Sequence, residues 1–148
     1  MSVEKINLFH DALETAIERL GKQDIELKEC QYEAVKAVVV DEKDTLCVLP
    51  TGYGKSLVYQ LLPFVFDAYV GSQNAGTNCV IVISPLNALM VDQITKLKKH
   101  MDVSVLKINV ETKHSDMVSI YHQIARPSQI IFAHPEALLE DKKFFRIF

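Results

Sequence analysis

The stretch LCVLPTGYGKSLVYQ, Leu46–Gln60, decides how the rest of the chain is read. An apolar run, Thr45–Leu49, leads into Thr51, two glycines one residue apart, Lys55 and Ser56, and then an amphipathic run. The first run predicts a buried strand. The second predicts a helix over Lys55–Tyr69, with Pro63 a candidate kink. Gly52 and Gly54 let the backbone turn so that successive N–H groups converge on phosphate oxygens. The helix start adds its dipole. Lys55 then places a positive charge on the outer phosphates, and Ser56 is placed to hold Mg²⁺. The general pattern is G-x-x-x-x-G-K-[ST]. Gly54-Lys55-Ser56 meets its end, whereas Leu49 occupies the position of its first glycine. A glycine-rich strand-to-helix turn with a surface lysine is the plain alternative.

Outward from this loop, strands and helices alternate. Upstream, Ile6, Phe9, Leu13, Ala16, Ile17 and Leu20 recur at helical spacing until Gly21, and Leu27–Val40 carries a second helical pattern. Downstream, Gly71–Asn78 (GSQNAGTN) reads as a flexible loop, and Cys79–Ser84 (CVIVIS) as a buried strand. Leu86–His100 reads as a helix whose core face holds Leu86, Leu89, Met90, Ile94 and Leu97. A strand over Val103–Ile108, a helix over Ser115–Ala125, a strand over Gln129–Ala133 and a short helix opened by Pro135 complete the series. Short β-branched runs joined by helices imply parallel strands with crossover connections, an open α/β sheet.

Composition excludes some classes. The chain has 148 residues, an ordinary one-domain length, and its 49% hydrophobic content suffices for a sizeable core. A net charge of -3 makes no bulk electrostatic case for nucleic acid. No apolar run reaches the roughly 18–20 residues of a membrane span, and Met1–Glu14 (MSVEKINLFHDALE) lacks the apolar segment of a secretory signal. Cys30, Cys47 and Cys79 form no CxxC pair. They read as buried, reduced thiols of a reducing compartment, not as a zinc site.

Four segments in order resemble the motifs of a superfamily 2 helicase, specifically a RecQ-type DNA helicase. LPTGYGKS is close to that family's PTGxGKS, in which the first P-loop glycine is commonly replaced. LKECQYEAV, Leu27–Val35, resembles its leading motif, where a basic residue and a glutamine flank adenine; Lys28 and Gln31 fill those positions. Taken alone, Gln31 reads as an exposed helical glutamine. SPLNALMVDQ, Ser84–Gln93, resembles SPLxxLMxDQ, which borders the DNA track. FAHPEALLE, Phe132–Glu140, resembles the "SPE" or "THPE" motif beside the DNA backbone.

The resemblance implies a three-layer RecA-like P-loop NTPase domain with a mostly parallel sheet, incomplete at its C-terminus. Residues 25–148 would be the partial ATP-binding domain and 1–24 a helical extension. ATP and Mg²⁺ would be held by Lys28, Gln31, Thr51, Gly52, Tyr53, Gly54, Lys55 and Ser56, with Lys55 catalytic. DNA would meet Ser84, Pro85, Asn87, Gln93, His134, Pro135 and Glu136. Ser84 and the first N–H groups of the following helix can reach a phosphate without a basic side chain. Pro135 and Glu136 are also ordinary helix-start chemistry. The implied activity is ATP-driven 3′-to-5′ unwinding in DNA repair and recombination, in the nucleus or else the cytosol, with no membrane role.

The family's Asp-Glu-x-His box, expected on a strand after Glu136, does not occur before Phe148; Asp141 is followed by Lys142. The expectation is therefore a fragment of weak ATPase activity, in which Thr45–Leu49 lacks the strands that flank it. Two other readings stand beside it. One is a non-catalytic module that binds nucleotide or a partner without turnover. The other is a small P-loop kinase, which generally keeps the first glycine and needs an arginine-bearing lid; the chain holds only Arg19, Arg126 and Arg146.

Overall fold

The computed structural model describes residues 3–21, 24–71, 78–100, 103–109 and 130–140. In chain order the elements are α1 (Val3–Arg19), α2 (Glu29–Val39), α3 (Lys55–Val70), β1 (Val80–Ile83), α4 (Asn87–His100), β2 (Val105–Ile108), β3 (Ile130–Ala133) and α5 (Pro135–Glu140). The helix expected over Ser115–Ala125 and most of the loop after Gly71 lie outside the described residues. The chain divides into two compact units, one up to Val80 and one from Ile81 onward.

The first unit is helical. Phe9, Ala12, Leu13, Ala16 and Leu20 make the buried stripe of α1, close to the stripe that spacing predicts. α1 and α2 both pack on α3, which contributes Leu57, Leu61, Phe64 and Val65 to the core. Pro63 is buried within α3, and the helix continues through it to Val70. Asp67, 1% exposed, sits on the same helix. Its Oδ1 accepts from the Asn78 Nδ2 at 2.9 Å and the Asn78 N–H at 3.4 Å, and its Oδ2 lies 3.8 Å from the Arg19 guanidinium. These contacts join α1, α3 and the segment that leads into β1. Midway along α1, the Tyr32 hydroxyl and His10 Nε2 are hydrogen-bonded at 3.0 Å, and Phe9 meets the Tyr32 ring edge-on at 5.5 Å.

The second unit holds a three-stranded sheet in the order β1-β3-β2. β2 and β3 are parallel, with Val105 opposite Ile130 and Ile108 opposite Ala133. β3 is buried at every position, as expected of a central strand covered on both faces. Leu106, Ile108, Ile131, Ala133 and Leu138 form the core, with Ile81 and Ala137 against it. The α/β class read from the sequence is borne out.

Three expectations are corrected. Thr45–Leu49 is not a buried strand: no described strand pairs with it, and Leu46 and Val48 are 90% and 82% exposed. Its apolar character suits a central position, but without a ladder partner Leu46 and Val48 meet no cover, while Cys47 and Leu49 are half-buried. The thiols are free but not buried: Cys30 and Cys47 are half-buried and Cys79 is exposed. Cys79 precedes β1, and Cys47 lies in the unpaired run, so neither gains the cover of a core strand. On α4, Met90 and Leu97 are buried, whereas Leu86 and Leu89 are exposed. Leu86 precedes the first helical residue, and Leu89 is turned about 100° from Met90.

Candidate functional sites

In the first unit the loop before α3 takes the conformation its glycines allow. Gly52 and Gly54 have φ of +80° and +86°, and Gly54 is the left-handed N-cap of α3. L-residues other than glycine pay a steric penalty there. Lys55 is thereby the first residue of the helix. Its Nζ donates to the carbonyls of Leu49 at 2.7 Å and Pro50 at 3.2 Å, and the side chain is exposed. Thr51, Gly52, Tyr53 and Gly54 are exposed as well, and Ser56 is half-buried. Burial pushes the Tyr59 phenol above its ordinary range, opposed by hydrogen bonds to Ser56 and Gln60.

Gln31 is not the exposed helical glutamine of the plain reading. It is 3% exposed, and its amide braces the loop. Nε2 donates to the carbonyls of Tyr53 at 3.1 Å and Gly54 at 3.0 Å, while Oε1 accepts the Lys28 N–H at 2.9 Å. Lys28 is the N-cap of α2; its side chain has no acceptor to offer, so Gln31 supplies the reciprocal half of the cap. The Lys28 ammonium lies 3.6 Å from the centroid of the Tyr53 ring, a cation–π contact. The structure thus brings together Lys28, Gln31, Tyr53, Gly54 and Lys55. Helical periodicity carries no signal for either the brace or the ring contact. A Lys three residues before a Gln, with an aromatic between two glycines downstream, is the pattern that would have found them.

In the second unit, β1 and β3 lie side by side, and the Ser84 N–H donates to the Ala133 carbonyl at 3.0 Å. Beyond that bond the Leu86 N–H reaches Ser84 Oγ at 3.4 Å. His134 follows β3, its N–H on the Ile108 carbonyl at 2.9 Å. Its Nε2 lies 3.1 Å from the Pro85 carbonyl. Its Nδ1 is buried without a hydrogen bond, 3.9 Å from Glu136 Oε2. Ser84, Pro85, His134, Pro135 and Glu136 are therefore gathered where β1 and β3 end. Asn87, the exposed first residue of α4, adjoins them. Gln93, half-buried, is six positions further on, about 240° around the helix, and does not share the face of Asn87.

No described helix is long and apolar enough to cross a membrane. Among the described residues no group of three or more His, Cys, Asp or Glu is placed to hold a metal ion.

The sequence profile of the family described as "DEAD/DEAH box helicase" matches residues 28–146. "Probable ATP-dependent DNA helicase RecS" of Bacillus subtilis is 31% identical over 111 residues, 75% of this chain and 20% of that protein. "RecQ-like DNA helicase BLM" of Xenopus laevis is 37% identical over 101 residues, 68% of this chain and 6% of that protein. "ATP-dependent DNA helicase Q1" of Mus musculus is 32% identical over 120 residues, 77% of this chain and 16% of that protein. The chain thus spans at most 20% of the length of these relatives. With a profile match across most of its length and RecQ-type relatives, the chain belongs to the DEAD/DEAH box helicase family.

Proposed function

We propose that this chain is the ATP-binding portion of a RecQ-like, ATP-dependent DNA helicase, residues 25–148 carrying the motifs and 1–24 a helical extension. The observation that carries the reading is the pair of left-handed glycines that places Lys55 at the start of α3. The residues fit Mg²⁺–ATP. A Cβ on Gly54 would stand 2.6 Å from Gln31 Nε2, so the loop is shaped around a residue without a side chain. When bound, the nucleotide supplies the phosphoanhydride whose cleavage drives movement along DNA.

The chain's own residues divide the work. N–H groups of residues 52–56 orient the phosphates. Lys55 exchanges the carbonyls of Leu49 and Pro50 for phosphate oxygens, and Thr51 lines the loop. Ser56 would hold Mg²⁺ through its hydroxyl. Lys28 and Gln31 stand on the adenine side. Both amide hydrogens of Gln31 are committed to the loop, but Oε1 keeps one lone pair and can accept from an exocyclic amine. Donation to a ring nitrogen requires Gln31 to release Tyr53 or Gly54.

Ser84, Pro85, Asn87 and Gln93, with His134, Pro135 and Glu136, are assigned to the nucleic-acid face. Backbone N–H groups and hydroxyls position a nucleic acid without reading sequence. For the whole helicase we propose 3′-to-5′ unwinding in repair and recombination, in the nucleus. The 148 residues by themselves bind nucleotide with little turnover, because they hold no Asp-Glu-x-His sequence to activate water.

Equilibrium titration with a fluorescent ATP analogue and Mg²⁺ tests the reading. Saturable binding that Lys55→Ala abolishes is expected. Absence of binding at millimolar nucleotide would sink it, and phosphoryl transfer to a small acceptor would favour a kinase instead.

A further inference from the structure

We infer that His134 is a positioning residue of the nucleic-acid face: its Nε2–H holds the Ser84–Leu86 turn against the end of β3. The inference rests on the assignment of that turn to DNA. The Ser84 N–H donates to the Ala133 carbonyl and ties the two segments where they leave the sheet. One residue further on, the connection passes to a side chain, with His134 Nε2 3.1 Å from the Pro85 carbonyl across 49 positions of sequence.

The proton can be assigned. A carbonyl oxygen only accepts, so Nε2 carries the hydrogen. In the neutral ring Nδ1 is then a bare lone pair. It is buried with no hydrogen-bond partner, and the charged group beside it, Glu136 at 3.9 Å, is another acceptor. An unpaired buried acceptor costs free energy. The ring thus leaves one nitrogen unsatisfied while it spans to Pro85 with the other.

The base of the side chain is fixed on two sides. The His134 N–H bonds the Ile108 carbonyl at 2.9 Å, and the His134 carbonyl accepts the Leu138 N–H at 3.3 Å. The His134 side chain itself is only 14% exposed, whereas Pro85, Leu86 and Asn87 are exposed. His134 is therefore poorly placed to touch a ligand and well placed to hold what does. It acts on DNA through the turn.

The test uses the full chain and a fluorescein-labelled oligo-dT, read by anisotropy, with hydrogen exchange at the Leu86 and Asn87 amides alongside. His134→Ala should weaken binding by about three- to tenfold, the worth of one hydrogen bond, and speed exchange at both amides. His134→Gln, whose amide can donate to the Pro85 carbonyl, should restore affinity and protection. If His134→Ala does not fold, His134→Phe fills the space without a donor and must show the same loss. A wild-type chain that binds while the donor-less variant binds equally well overturns the inference alone. So does a Gln variant as weak as the Ala one, which would mean that the imidazole touches DNA directly. A wild-type chain that does not bind oligo-dT overturns the nucleic-acid assignment and this inference with it.

Discussion

Gln31 and Gly54 are in such close register that a single methyl group on Gly54 would lie 2.6 Å from the Gln31 amide nitrogen. The glycine is needed twice, for its φ of +86° and for the room it leaves the brace. Gly54→Ala should cost roughly 2–4 kcal/mol, from left-handed strain and from displaced Gln31 hydrogen bonds. Urea unfolding of the two proteins measures it. A loss below 0.5 kcal/mol, on the order of an ordinary surface change, would mean the brace is not formed in solution.

Lys55→Ala separates binding from folding. The ammonium is exposed and, among the described residues, bonds the carbonyls of Leu49 and Pro50, so its removal should change the unfolding midpoint little. Nucleotide affinity should fall at least about tenfold, or 1.4 kcal/mol. Calorimetry and a thermal melt on the same sample decide between this outcome and a merely structural lysine, which would lower both together.

Asp67 and Arg19 should not be equivalent although they face each other. Arg19 is 47% exposed in its side chain and 3.8 Å away, so Arg19→Ala should cost less than about 1 kcal/mol. Asp67→Ala strips the acceptor from two Asn78 donors at a buried site and should cost about 1–3 kcal/mol. Equal losses in the two variants would show that the ion pair dominates and the Asn78 bonds do not.

Cys79 offers a pH test. Burial of its sulfur raises the thiol above its ordinary value, although the residue as a whole is exposed. A raised thiol carries less thiolate at a given pH. In the Cys30→Ser/Cys47→Ser protein, Cys79 should react with a disulfide reagent more slowly than free cysteine at neutral pH. Its rate should climb about tenfold per pH unit below its own titration. A rate equal to that of free cysteine would mean the sulfur is fully hydrated.

Much of the fold could be read because periodicity is local. The stripe Phe9–Leu13–Ala16–Leu20 and the run Ile130–Ala133 declare their burial within a few residues. The glycine turn that opens α3 is legible for the same reason, its glycines and lysine being adjacent. What the sequence hid lies across distance. Gln31 meets Gly54 over 23 positions, and His134 meets Pro85 over 49. Helical or strand periodicity does not encode such pairs. Thr45–Leu49 is the complementary case. Its composition reports what the segment prefers as a neighbour, not whether one is there, and exposed Leu46 and Val48 are the result.

That exposure has a practical side. Leu46 and Val48 stand in water on a segment with no proline between Thr45 and Leu49 and no charge in it. Such a segment is sticky towards its own kind. The protein's shelf life should therefore shorten as its concentration rises, and one charge introduced at Val48 should lengthen it.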